Sequence, residues 1–156
     1  MVQMIFVPMT RDEALALRSG TGPHRYQGCA ATPSLTASME ADTVIEEVEY
    51  AALSNAGVLA LVLKPNTPRL VIAAEVQQDQ LTDSGGSHGE IEVGDLAWAQ
   101  IRALFADDRD ALEAARLAGK AVAGRSLAVA LTTPEVMAVL DGYDLLWFAP
   151  EELDEL

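Results

Sequence analysis

Leu70-Val71-Ile72-Ala73-Ala74-Glu75-Val76 is apolar at every position but one and rich in β-branched residues. Apolar side chains pointing to both sides of a strand need cover on both sides, so the stretch reads as an interior strand of a sheet. Glu75 is its exception. A carboxylate inside an apolar strand must be paired, protonated or placed at an edge.

Immediately upstream, Lys64-Pro65-Asn66-Thr67-Pro68 stops a helix of about twenty residues, the longest in the chain. Its start reads as a capping box, Thr43-Val44-Ile45-Glu46, and Ile45, Val48, Ala52, Leu59 and Leu63 recur at helical spacing. Further upstream, Gln3 to Pro8 is a strand. Thr10-Arg11-Asp12-Glu13 is a second capping box, opening a short helix that ends near Gly20. A brief strand follows at Gln27 to Ala31, and Thr32-Pro33 starts another short helix with Pro at its first position.

Downstream, Glu90 to Val93 reads as a strand joined to Leu70–Val76 as a hairpin, through the flexible loop Asp83 to Gly89. After a turn around Trp98 come a strand at Ile101 to Ala106 and a helix at Asp107 to Gly119. Leu127 to Leu131 fits either strand or helix. Thr133-Pro134-Glu135 opens a helix closed by Gly142, Leu145 to Phe148 is a final strand, and Pro150 to Leu156 is an acidic turn. This order predicts an α/β (α+β) fold: one two-layer domain over residues 1–156, with a mixed sheet of about five strands and helices packed on it in a ferredoxin-like or related manner.

Twenty-four acids against ten bases give a formal charge of −14 over 156 residues. That field repels phosphate backbones and anionic lipid surfaces, so no nucleic-acid or membrane partner is expected. The apolar start, Met1 to Met9, has no basic n-region, and the longest apolar run, Ala56 to Leu63, is far too short to span a bilayer. A lone Cys29 has no partner for a disulfide or a zinc site and reads as a small buried hydrophobe. A cytoplasmic protein without disulfides is expected.

Taken in order, Ile5-Phe6-Val7-Pro8, Glu46-Glu47-Val48-Glu49-Tyr50-Ala51-Ala52-Leu53, Leu70 to Val76 and Asp144-Leu145-Leu146-Trp147-Phe148 resemble a family of short uncharacterised proteins from high-GC Gram-positive (actinobacterial) bacteria, a domain of unknown function. The resemblance covers nearly the whole chain. Where the family pattern places a His before the acidic pair that follows the third sheet strand, and another near the terminal Leu-Leu-Trp, this chain has Phe105 or Ala106, and Tyr143. The resemblance therefore implies no imidazole mechanism and no activity.

Residues that carry chemistry are few. His88 lies in a Ser/Gly loop too free to hold a catalytic geometry. Gly20-Thr21-Gly22 follows a helix and lacks the third glycine of a dinucleotide fingerprint, so no cofactor is expected. Glu75, Asp107 and Asp108 are the candidates for a hard cation, although Asp107 also suits a helix cap. Residues 14 to 39 contain no acid and hold Arg18, His24 and Arg25 ahead of the helix at Thr32-Pro33, which makes these three a candidate anion site. Trp98, Trp147 and Phe148 read as core, since Trp147 and Phe148 alternate faces and at least one must face inward; if one faces outward beside Leu145 or Met137, it becomes an interface anchor. High apolar content with sparse catalytic residue types points to a non-enzymatic association or regulatory module. Its partner is expected to be a second copy, as a two-fold dimer, or another protein. The alternative is a small-anion-binding protein or a carboxylate/metal-dependent enzyme.

Overall fold

The computed structural model describes residues 1–156 and builds them around one seven-stranded sheet. The chain runs β1 (Val2–Pro8), α1 (Arg11–Arg18), β2 (Arg25–Ala30), α2 (Pro33–Ala37), α3 (Ile45–Leu63), β3 (Leu70–Gln77), β4 (Leu81–Asp83), β5 (Glu90–Gly94), β6 (Ile101–Ala106), α4 (Leu112–Val122), α5 (Leu127–Ala130), α6 (Pro134–Gly142) and β7 (Leu146–Phe148). The spatial order is β4-β5-β2-β1-β3-β6-β7, and every neighbouring pair is antiparallel.

The sheet thus has seven strands where about five were expected, and it is antiparallel where a mixed sheet was expected. β2 and β3 do run in the same direction, but β1 lies between them, antiparallel to both. The crossover through α2 and α3 is therefore split around β1, and its parallel strands never touch. The expected hairpin of β3 with β5 is also replaced: β3 has β1 and β6 on its two sides, and β5 pairs with β2 and β4.

Alternation along the strands divides the core in two. Phe6, Cys29, Val71 and Ala73 face α3, which lies over the sheet with α4, α5 and α6 beside it. Ile5, Val7, Ile72, Val76 and Leu104 face the other way and are closed over by α1 and by a 3₁₀ segment, Pro150–Glu155, whose Leu153 is fully buried. The two-layer expectation thus gives way to a sheet covered on both faces, as a strand like β3 requires. Cys29 is buried, and burial pushes its thiol up to about 12, so it stays protonated.

Local signals account for several element boundaries. The Thr10–Glu13 capping box forms as read: Glu13 N–H donates to Thr10 Oγ1 at 3.1 Å, and Thr10 N–H donates to Glu13 Oε1 at 2.9 Å. At α3 the expected box is absent, because Val44 is the N-cap and Thr43 is held one residue outside by its N–H donating to Glu40 O. The segment from Leu127 is helical, with Ser126 Oγ accepting from Val129 N–H. Gly119 lets α4 close on the turn after α3, since a Cβ there would meet Pro65 O at 2.7 Å.

Glu13 also binds Lys64 Nζ at 3.1 Å, tying α1 to the end of α3. Burial pushes the Glu13 carboxyl up, but the Thr10 N–H and the Lys64 ammonium outweigh it and hold it below the usual 4.5. A carboxyl with a lowered folded pKa stabilises above its unfolded pKa and ceases to do so as pH falls through the folded one. Glu13→Ala is therefore expected to cost about 1–2 kcal/mol at pH 7, as for the loss of a helix cap. Urea melts at stepped pH should show the wild-type advantage constant above pH 6 and vanishing in acid. An advantage that persists below pH 3 contradicts this account.

Candidate functional site

The acid-free island does not converge on the N-terminus of α2. Arg18 reaches across to the C-terminal segment and binds Asp154 in a two-pronged pair at 2.9 and 3.0 Å. It shares with His24 a shallow cavity of about 360 Å³ that also takes in Asp95 and Trp98. Arg25, on β2, instead meets Glu92 of β5 at 3.5 Å. The N-terminus of α2 is capped by Thr32, whose hydroxyl accepts from Leu35 N–H, and Leu35 packs under α3, across the sheet from α1.

The acidic candidates are each engaged separately. Glu75 pairs with Arg102 at 3.4 Å; the register between β3 and β6 shifts here, leaving Arg102 as the extra residue. Asp108 caps the turn that leads into α4 by accepting from Arg109 N–H. The Asp107 carboxylate is buried and receives Arg69: Nε at 3.0 Å, Nη2 at 2.7 Å and the Arg69 backbone N–H at 2.9 Å. No three His, Cys, Asp or Glu side chains gather at metal-binding reach. His88 lies 3.8 Å from Glu90, and its carbonyl accepts from Asn55 Nδ2, which ties the loop to α3.

A larger cavity, about 460 Å³, opens elsewhere, between the first half of α3, β6 and the connection from α6 to β7. Tyr50 and Leu53 form its α3 wall, Phe105 its sheet side, and Tyr143 and Leu145 the opposite wall. Arg69 is 3% exposed and completes the lining. Its Nε and Nη2 serve Asp107 and the Tyr143 carbonyl, while Nη1 makes no hydrogen bond. A shallower trough of about 310 Å³ shares Tyr50, Leu53 and Phe105 and continues over β1 and β3 to Met4.

Two large aromatic side chains are exposed here, Tyr50 in the lining and Trp147 beside it. Tyr50 is 65% exposed and Trp147 61%. Trp147 lies directly opposite Phe105 in the antiparallel register, so the two share a sheet face, at the edge strand of the sheet. The rim is acidic on balance: Glu46 and Glu49 border the trough opposite Arg102, which is paired with Glu75, and Asp144 borders the cavity. Burial and the nearby Glu46 push the Glu49 carboxyl above its ordinary value.

Alternation in Leu146–Phe148 requires that at least one of Trp147 and Phe148 face inward; the structure half-buries Phe148 and leaves Trp147 exposed, against the expectation of core for both. Tyr50, Tyr143 and Arg69 carry no comparable sequence signal, because only the packing of α3 against the α6–β7 connection brings them together.

Fold and site together define an antiparallel α/β protein with an aromatic, acid-rimmed cleft. The chain belongs to a family of unknown function (DUF6912), whose model matches residues 4–156. No curated protein and no solved structure matches it significantly. No helix is long and apolar enough to cross a membrane.

Proposed function

We propose that this protein is a non-enzymatic association module whose binding surface is the cleft between α3 and β7, and whose occupant is an extended, basic segment of another protein. The observation that carries the reading is the joint exposure of Tyr50 and Trp147 on one sheet face, beside an edge strand. Exposed aromatics at a concave apolar site are the residues that dominate association energies. The outer side of β7 has no neighbouring strand and offers backbone groups to an extended chain. The choice of a basic occupant follows from charge. The rim carries Glu46, Glu49 and Asp144 on a chain of net charge −14, and a second copy would bring the same sign to the same place.

The test is a titration with a labelled peptide of alternating Lys and Phe, followed by fluorescence anisotropy. A same-charge peptide with Ser replacing Phe measures bulk electrostatics alone. The Phe peptide is expected to bind more tightly, and Trp147→Ala or Tyr50→Ala to weaken it about thirtyfold, the loss of one hot-spot side chain. Equal binding of the two peptides, or no effect of either substitution, overturns the assignment. Light scattering supplies the second arm: a two-fold dimer dissociated by Trp147→Ala would give the cleft to a second copy instead.

A further inference from the structure

Six of the ten cationic side chains sit within 4.0 Å of a carboxylate; Arg11, Arg109, Lys120 and Arg125 do not. In a chain with 24 acids, unpaired arginines have ample opportunity to find partners. Two of the four, Arg11 and Arg109, line one cleft. It has a volume of about 390 Å³, within the range of small-molecule sites, and lies on the side of the Arg69–Asp107 pair away from Tyr143. Leu70, Ala106 and Leu112 give it an apolar floor and wall.

Its charge balance runs against that of the whole molecule. Among the lining side chains Arg69 and Asp107 cancel, being a closed pair, and Asp12 opposes Arg11 and Arg109, leaving +1 on the lining itself, with the Asp154 carboxylate just outside it near Arg11. Backbone donors add to it. The α1 capping box uses the N–H groups of Thr10 and Glu13, whereas those of Arg11 and Asp12, both on the cleft, make no hydrogen bond. Arg11 Nη2 donates only to the Asp154 carbonyl, at 3.3 Å, and the hydrogen bonds of Arg109 are made by its backbone, none by its guanidinium.

We propose that this cleft binds a small organic anion, with a carboxylate or phosphate head held between Arg11 and Arg109 and an apolar body laid on Leu70, Ala106 and Leu112. Planar guanidinium forks match both head groups, and an apolar body of a few carbons fits the volume. The site is distinct from the aromatic cleft, since of the two linings only Arg69 is common.

The probes are phenyl phosphate and benzoate, which separate the two head groups, with inorganic phosphate and neutral benzyl alcohol as controls for the two halves of the ligand. Calorimetric titration at fixed ionic strength is expected to show one site for phenyl phosphate or benzoate, and weaker binding of both controls. Arg11→Met and Arg109→Met, which keep the apolar stems, should each weaken binding about tenfold. Lys120→Met and Arg125→Met, made singly, each remove the same charge elsewhere and should leave affinity unchanged. Both arginines are exposed, so the variants are expected to unfold at the wild-type urea concentration. Should one of them not fold, shifts of the Arg11 and Arg109 side-chain NMR signals on adding phenyl phosphate to the wild type provide the second readout. Equal weakening by the charge-matched control, benzyl alcohol binding as tightly as the anions, or saturation by none of the probes overturns the proposal.

Discussion

Replacing Asp107 by Ala is expected to cost about 3–5 kcal/mol, among the largest effects of any single substitution in the chain. Arg69 is 3% exposed and Asp107 is 0% exposed at their side chains, so removing the carboxylate strands a guanidinium in the core without its counter-charge. The pair also joins the start of β3 to the end of β6 through reciprocal backbone bonds: Arg69 N–H donates to Asp107 Oδ2, and Asp107 N–H to the Arg69 carbonyl. For a chain of this length the loss corresponds to a fall in Tm of roughly 10 °C. Asp107→Asn keeps one acceptor and should fall between wild type and Asp107→Ala. Arg69→Met/Asp107→Leu should recover most of the loss, because a buried ion pair replaced by apolar volume is often close to neutral. Urea melts of the four proteins decide this. An Asp107→Ala variant within 1 kcal/mol of wild type would mean that water from the neighbouring clefts already solvates Arg69.

The same pair shows which parts of the molecule the sequence exposes and which it conceals. Glu13 is three residues from Thr10, so their capping box is complete within one turn and readable without the fold. Arg69 and Asp107 are 38 residues apart and meet only because β3 pairs with β6. From sequence, Asp107 reads as a helix cap or a cation ligand, and the role it takes, partner of Arg69, is not among them. Strand order is concealed for the same reason. Val71 and Ile72 announce that β3 is covered on both sides, but nothing local says that β1 and β6 flank it in place of β5. β4 goes unseen because three residues, Leu81-Thr82-Asp83, are too few for alternation to register and its pairing with β5 is all that defines it.

The candidate sites follow the same division. That Trp147 and Phe148 face opposite ways can be read, because a period of two forces neighbours to opposite faces. The direction of Tyr50 cannot, since it belongs to a helix whose polar and apolar residues leave it open until α6 and β7 are placed. The acid-free island is a real feature of composition, yet Arg18 there is taken by Asp154, far along the chain. Arg11, just outside the island, has no carboxylate within 4.0 Å, and Arg109, which lines the same cleft, lies on a different element. Charge runs in one dimension are a poor guide to charge in three, because strands and helices re-pair residues at separations that composition ignores.

Leu153→Ala is expected to cost about 3 kcal/mol, the usual loss for a large-to-small change at a fully buried site. Its distribution should be uneven. Leu153 is the buried anchor of the Pro150–Glu155 segment, which touches β6 and α1 and covers the face of the sheet opposite α3. The other ties of this segment are exposed: the Arg18–Asp154 pair, with side chains 36% and 63% accessible, and a 3.3 Å hydrogen bond from Arg11 to the Asp154 carbonyl. Exposed pairs contribute little by themselves, so the segment stays docked through its leucine. Hydrogen exchange in the variant should therefore accelerate in α1 and the C-terminal segment while α3 keeps its protection, the pattern of local opening. It should also loosen the anion cleft, since Arg11 and Leu156 both line it, and phenyl phosphate should bind the variant more weakly than the wild type. Exchange that rises uniformly through both faces would show that the segment is an integral part of one cooperative core and not a separately docked cover.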